Sequence, residues 1–337
     1  EFAHLAPGAP NATDLNGEAT SYLDDFEGSQ NAIDLKSQQS WFLSSRPLNL
    51  DEDDGNTVED ANGIQNGFGR ALLNWYSIDP IFYSNQRPDG ISDEDVSDLF
   101  TSRVFINELF PDRDLVQGQL AIINTLDLAY YPEERGPYNF QTTGLANDGN
   151  TLTNPQDSWA GITRQLRSSD LEQSNVEYIE FWLQDPFQGN PNAATAGGKL
   201  VFNLGNISED VIKDGRKLFE NGLPANGDIT TLPQTDFGTV VPQNQSLIYA
   251  FDSTGDERTN QDVGYDGYDD DDERRVFGEN FGDDPAKDNY TYFLNTDGDI
   301  FERYRRFNGV QGNTPETFSD TQRAGNTQPD VEDINRD

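Results

Sequence analysis

Seven of the twelve residues from 262 to 273, DVGYDGYDDDDE, are acidic. Carboxylate oxygens are hard donors, and a run that turns sharply can wrap several of them around one calcium ion. The twelve-residue calcium loop asks for oxygens at positions 1, 3, 5, 9 and 12, a backbone carbonyl at 7 and glycine at 6. Asp262 takes position 1, Asp266 position 5 and Gly267 position 6. Tyr268 offers its carbonyl at 7, Asp270 falls at 9, and Glu273 is the bidentate candidate at 12. Gly264 at position 3 departs from the pattern, and no convincing helix flanks the run. The expectation is a calcium loop of helix-free type held by Asp262, Asp266, Tyr268, Asp270 and Glu273. A solvated acidic run is the alternative.

Two further groups of acids carry less. Asp297 and Asp299 surround a glycine in NTDGDIFERY (295–304), which reads as a polar turn ahead of a strand. Asp24, Asp25 and Glu27 in LDDFEG are a second candidate for a structural ion. Catalysis finds little support. The single histidine, His4, sits in a Pro/Gly/Asn-rich opening, a poor place for a nucleophile–histidine–acid triad. A pair of carboxylates suited to glycoside hydrolysis has almost no specificity in a chain with 61 acids. No phosphate-binding glycine loop is present, and the chain is expected not to be an enzyme. Trp41, Trp75, Trp159 and Trp182 would be sugar platforms if exposed, and core residues if buried. Burial is the expectation.

The elements that must position these residues are mostly strands. TLDLAYY places Leu126, Leu128 and Tyr130 on one side, KLVFNLG places Leu200, Phe202 and Leu204, and SLIYAFD places Leu247, Tyr249 and Phe251. SWAGITRQL (158–166) adds Ala160, Ile162 and Leu166. All alternate with the period of two that a half-buried strand requires. In NVEYIEFWLQDPF (175–187), Ile179, Phe181 and Leu183 point one way and Val176, Tyr178 and Trp182 the other. Apolar on both faces, this run reads as a central strand covered on both sides. Truncating Trp182 should then cost about 3–5 kcal/mol. Helix signals are few: Ser92 could cap ISDEDVSDLFTSRVF, and Ser208 could cap NISEDVIKDGRKLFENGLP, which Gly222 and Pro224 end. Around ALLNWYSIDPIFY (71–83) the chain is compact and aromatic. The fold class expected is mainly β, a jelly-roll-like antiparallel β-sandwich with a few short helices and long polar loops. An extended arm (1–20), a sandwich core (21–260) and an acidic calcium-loop segment with C-terminal strands (261–337) divide the chain.

The formal net charge is −39, which argues against nucleic acid and anionic membrane surfaces as partners and permits divalent cations. The 21 Phe and 13 Tyr argue for a packed core despite that charge. There is no cysteine, so disulfides and thiolate metal sites are excluded. No apolar run reaches the length of about 18 residues that a membrane-spanning helix needs. The sequence contains no methionine, so a processed or excised piece is expected, with Glu1-Phe2 readable as a cloning scar.

Long stretches carry a resemblance. GPYNF (136–140), NPQDSWAGITRQL (154–166), SNVEYIEFWLQDPF (174–187), LVFNLGNISEDVIKDGRKLFENGLP (200–224) and QDVGYDG (261–267) resemble the SprA/Sov family. These are giant outer-membrane translocons of the Bacteroidetes type IX secretion system, also called gliding motility proteins. YSIDPIFY (76–83), TLDLAYYPEERGPYNF (125–140) and GDIFERYRRFNG (298–309) fit the same family. The resemblance implies a very large β-barrel through which folded cargo leaves the cell. This chain lacks serial ten-residue strands with an apolar outer band, and its mean hydropathy is −0.77. It is therefore expected to be a soluble insertion between barrel strands, part of an extracellular cap, with a periplasmic position as the alternative. Its partners would be the rest of its own barrel, secreted cargo and other translocon subunits, with no direct membrane insertion of this fragment. A calcium-stabilised carbohydrate-binding module is the competing expectation.

Overall fold

The computed structural model describes residues 33–47, 63–111, 118, 121–166, 178–188, 197–215, 228–234 and 264–307. They fall in two units: Glu1–Leu35 with Gln165–Val201, and Lys36–Arg164 with Phe202–Asp337. In chain order the larger unit holds β1 (Phe42–Leu43), β2 (Ala71–Tyr76), β3 (Val104–Phe105), α1 (Ile106–Leu109), β4 (Ile122–Ile123), β5 (Asp127–Arg135), β6 (Ile162–Thr163), α2 (Asp270–Phe277) and α3 (Ile300–Tyr304). The strands form three two-stranded antiparallel ladders, β1 with β6, β2 with β5, and β3 with β4. Among the described residues the fold is thus short antiparallel strands in small sheets with few helices, and no closed barrel.

β2 is the centre. All six residues of ALLNWY are buried. Successive side chains of a strand point to opposite faces, so a strand buried throughout must be covered twice. Trp75 enters one core with Leu43, Tyr138, Phe140, Tyr265 and Phe281. Tyr76 enters the other with Phe82, Ile91, Phe293, Ile300 and Tyr304, and its ring stacks on Tyr304 at 4.2 Å. Asn74, on the Tyr76 side, donates its amide to the Tyr304 carbonyl at 2.7 Å. The pairing with β5 runs from Tyr76 opposite Asp127 to Leu72 opposite Tyr131, then jumps to Ala71 opposite Arg135. Pro132 falls inside that bulge, where its missing N–H breaks no ladder bond.

Several sequence expectations change here. In β5 the side carrying Leu128 and Tyr130 is the outer one, 48% and 43% exposed, while Asp127, Ala129 and Tyr131 face inward. Alternation located the strand, but both of its sides carry apolar residues, so it could not choose the face. The doubly covered central strand is β2. Residues 178–183 lie in no strand, and Tyr178, Phe181, Trp182 and Leu183 are 54–77% exposed. Leu200, Phe202 and Leu204 are likewise exposed. GDIFERY forms helix α3 rather than a strand, because Asp299 caps it by accepting the Glu302 N–H at 2.8 Å. In 264–307 the regular elements are helical, not strands. Ser92 does accept an N–H, from Asp95 at 3.1 Å, but the chain continues in turns rather than a helix. SLIYAFD, His4 and Asp24, Asp25 and Glu27 lie outside the described residues.

With so little ladder, buried guanidinium groups tie the loops together. Arg70 donates to the carbonyls of Ser44 and Pro137, both at 3.1 Å, and lies 4.8 Å from the Trp159 ring centre. Arg303 donates to the carbonyls of Gly298, Phe293, Thr296 and Asp89. Arg135, at the end of β5, donates to the carbonyls of Gly149 and Asn139 and reaches Pro285 at 2.5 Å. Five fixed donors on one planar group suit it to collecting carbonyls that no regular element satisfies. Burial pulls Arg70 and Arg135 down to about 10, so both stay charged at neutral pH.

Candidate metal centre

The acidic run folds as a turn leading into a helix. Gly264 and Gly267 both adopt positive φ, +63° and +77°, a region open to glycine at little cost. Between them Asp266 accepts the Tyr268 N–H at 3.1 Å, which closes the turn. Asp269 then caps α2 by accepting the Asp272 N–H at 2.8 Å. The helix was missed in the sequence because aspartate is a weak helix former. At the first turn, however, its charge meets the positive end of the dipole and its oxygens serve as caps. Arg274 and Arg275 in the last turn and Gly278 at φ +99° complete the element.

Asp270 and Glu273 stand three apart on α2 and so share a face. That face receives a second acidic segment, GDDPAKDNY (282–290). The Ala286 N–H donates to Glu273 Oε2 at 2.7 Å. Arg135 fixes the same segment through the carbonyls of Asp284 and Pro285 and, just before it, that of Phe281. From the other side, the Tyr138 hydroxyl donates to Asp288 Oδ2 at 2.7 Å and accepts the Tyr265 N–H at 2.8 Å. One tyrosine oxygen therefore joins the turn to the carboxylate.

Two clusters result. Asp266, Glu273 and Asp288, all buried, each offer a carboxylate oxygen within 4.8 Å of the others. Asp270, Glu273 and Asp284 do the same. Oxygens bound to one calcium ion at about 2.4 Å can be at most about 4.8 Å apart, so both spacings suit a shared ion. Asp284 Oδ1 and Asp288 Oδ1 are buried and accept no hydrogen bond. A buried carboxylate oxygen left in that state is costly unless a proton or a cation meets it. Burial pushes Asp266 and Asp288 far above the usual carboxylate range, and their mutual repulsion adds to it for Asp288. Burial likewise pushes Asp270 up to about 6. Two like charges at that spacing repel by roughly 3 kcal/mol at an effective dielectric near 20. A divalent cation removes that repulsion, and an all-oxygen donor set suits a hard one.

The structure thus places Glu273 beside Asp266 in one trio and beside Asp270 in the other, so three of the expected ligands meet in pairs through Glu273. Asp262 lies outside the described residues. The ring of Tyr268 is fully buried with Ile229 and Leu232 and packs edge-on against Phe277, anchoring the turn. Gly264, the apparent defect at position 3, has a tertiary reason. A Cβ there would lie 2.1 Å from Asp288 Oδ2 and 2.7 Å from the Tyr138 hydroxyl. The position gives up its own oxygen so that Asp288 can enter. Asp284 and Asp288 escaped the sequence reading because a twelve-residue template ends at Glu273. Their signal was the second acid-rich run after Gly282.

No protein-family model matches the chain, and no curated protein matches it.

Proposed function

We propose that the chain is a calcium-clamped structural and interaction domain of an outer-membrane protein-export translocon of the type IX secretion system. In this reading it forms part of the extracellular cap, meets cargo, other subunits and its own barrel, and contributes no catalytic residue. The observation that carries the proposal is where two of the resembling motifs lie, GPYNF and QDVGYDG, while residues 178–186 and 200–209 of the two longer motifs are exposed. All five residues of GPYNF are buried, as are Gly264 to Gly267 of QDVGYDG. These segments build the core and hold the carboxylate centre together, through Tyr138, Gly264 and Asp266. Calcium is favoured over zinc because every donor is oxygen.

The tryptophans weigh against the sugar-binding alternative. Trp75 and Trp159 are buried and Trp41 is half-buried, so Trp182 is the one largely exposed ring of the four. A platform of tryptophans needs at least two of them exposed on one face. The β-sandwich arrangement belongs to the same proposal and is supported by the three antiparallel ladders, β1 with β6, β2 with β5 and β3 with β4. The test is an immunoblot of fractionated native cells with antibody against this chain, alongside surface labelling of intact cells. A band several times larger than the chain, confined to outer membrane and labelled from outside, is the expected result. The same band without labelling would place the domain on the periplasmic side. A band of modest size in the medium would overturn the translocon reading in favour of the secreted module.

A further inference from the structure

We infer that the carboxylate centre takes two cations rather than one, an inner and an outer, with Glu273 as the shared ligand. The inference rests on the reading of Asp266, Glu273 and Asp288 as a cation position. The two trios meet only at Glu273. A carboxylate has two oxygens and about four lone-pair directions, so it can serve two ions at once.

The outer trio has its own marks of a ligand site. Asp284 is 8% exposed, and its Oδ1 has no hydrogen-bond partner. Its other oxygen, Oδ2, lies 4.0 Å from Arg306 Nη1, too far for a hydrogen bond. Asp270 holds the Asn289 amide at 3.0 and 3.2 Å on its two oxygens. Asp270 is therefore held in place by Asn289, and both Asp270 and Asp284 retain acceptor capacity. Five carboxyl groups converge here, and Arg135, the buried cation beside them, spends its hydrogen bonds on backbone carbonyls, so the carboxylate oxygens are left for other partners.

The two positions differ in access. The inner one is bordered by the Tyr138 hydroxyl and by Gly264, and a small apolar cleft along Ile64, Phe140 and Phe277 reaches Asp266. The outer one is bordered by half-buried Asp270 and by Lys287, also half-buried. Calcium suits the buried inner position because it accepts protein oxygens in irregular geometry. The outer position can retain water and so discriminates less between calcium and magnesium.

The experiment is equilibrium dialysis of the full 337-residue chain against calcium in about 0.15 M salt, which screens diffuse binding by the acidic surface. The wild type should bind two calcium ions tightly, and Asp284→Asn one. Asp284→Asn replaces one oxygen with an amide of the same shape, and its melting curve in calcium checks that it folds. Adding excess magnesium should displace one of the two calcium ions from the wild type. One tight ion in the wild type would overturn the paired centre while leaving the inner position standing. None would overturn both, without bearing on the cell-fractionation result. Two ions retained by Asp284→Asn would overturn the assignment of the outer position.

Discussion

A single methyl group at position 264 tests how the centre is built. Gly264→Ala would bring a carbon to within 2.1 Å of Asp288 Oδ2 at a φ of +63°. Strain at such a site costs on the order of 1–3 kcal/mol. The displaced atom is a metal-ligand candidate, so the expected outcome is double: a lower melting temperature, and a calcium-dependent rise in it that shrinks or vanishes. Melting curves in calcium and in chelator would separate the two. A variant that melts lower but keeps the full calcium increment would show that Asp288 is not a ligand. At Asp127, away from the centre, the same residue-scale reasoning gives a pH dependence. Burial pushes its carboxyl up to about 6, against the Thr125 hydroxyl bond that pulls it down. A carboxyl raised on folding favours the folded state when protonated, so its contribution is full below the ordinary range and is lost as pH rises from about 4 to about 6. Asp127→Asn should therefore leave stability nearly unchanged at pH 4 and raise it by about 1 kcal/mol at pH 7, in saturating calcium. Urea midpoints at the two pH values check this, and an equal effect at both would remove the buried carboxylate as its cause.

At the scale of elements, sequence pattern found what is local and missed what depends on a distant neighbour. The strand at 127–135 was legible because alternation is a property of the strand itself. Its inward face was not, because Leu128 and Tyr131 are both apolar-bodied and only the packing partner decides between them. Asp266, Asp270 and Glu273 were legible because turn and helix geometry fix their spacing within eight residues. Asp284 and Asp288 were not, since Arg135 and Tyr138 bring them there from some 150 residues away. The run at 175–187 read as a buried strand from apolarity alone, yet ALLNWY has the same quality and is the one that two cores enclose. This reverses the expected cost of losing a tryptophan. Trp75→Ala should destabilise the chain by about 3–5 kcal/mol, as deep aromatic truncations do. Trp182→Ala, at a site 69% exposed, should change stability by under about 1 kcal/mol. Denaturant unfolding of both variants checks the assignment. A large loss at Trp182 together with a small one at Trp75 would restore the sequence reading.

For the whole molecule, the decisive quantity is charge. A net −39 on 337 residues works against compaction by self-repulsion, while short ladders and two aromatic cores supply limited cohesion. Two separate remedies should then be measurable. Diffuse repulsion is screened by any salt, so in chelator the melting temperature should climb steadily as sodium chloride rises from about 0.02 to 0.5 M, where the screening length falls several-fold. The buried carboxylates lie out of reach of that screening and respond to an ion that enters. At fixed ionic strength, calcium should add a saturable increment, about 2.7 kcal/mol once the free ion reaches roughly 100 times its dissociation constant at one site. The increment should survive at 0.5 M salt, because the pairs it relieves are buried. If calcium stabilises no more than sodium chloride of equal ionic strength, the carboxylates at 266, 273 and 288 are held by protons instead. The clamp would then be absent at neutral pH. If the increment saturates and resists salt, the acidity of this chain serves two ends: a surface that repels anionic neighbours, and a centre that closes the fold around a cation.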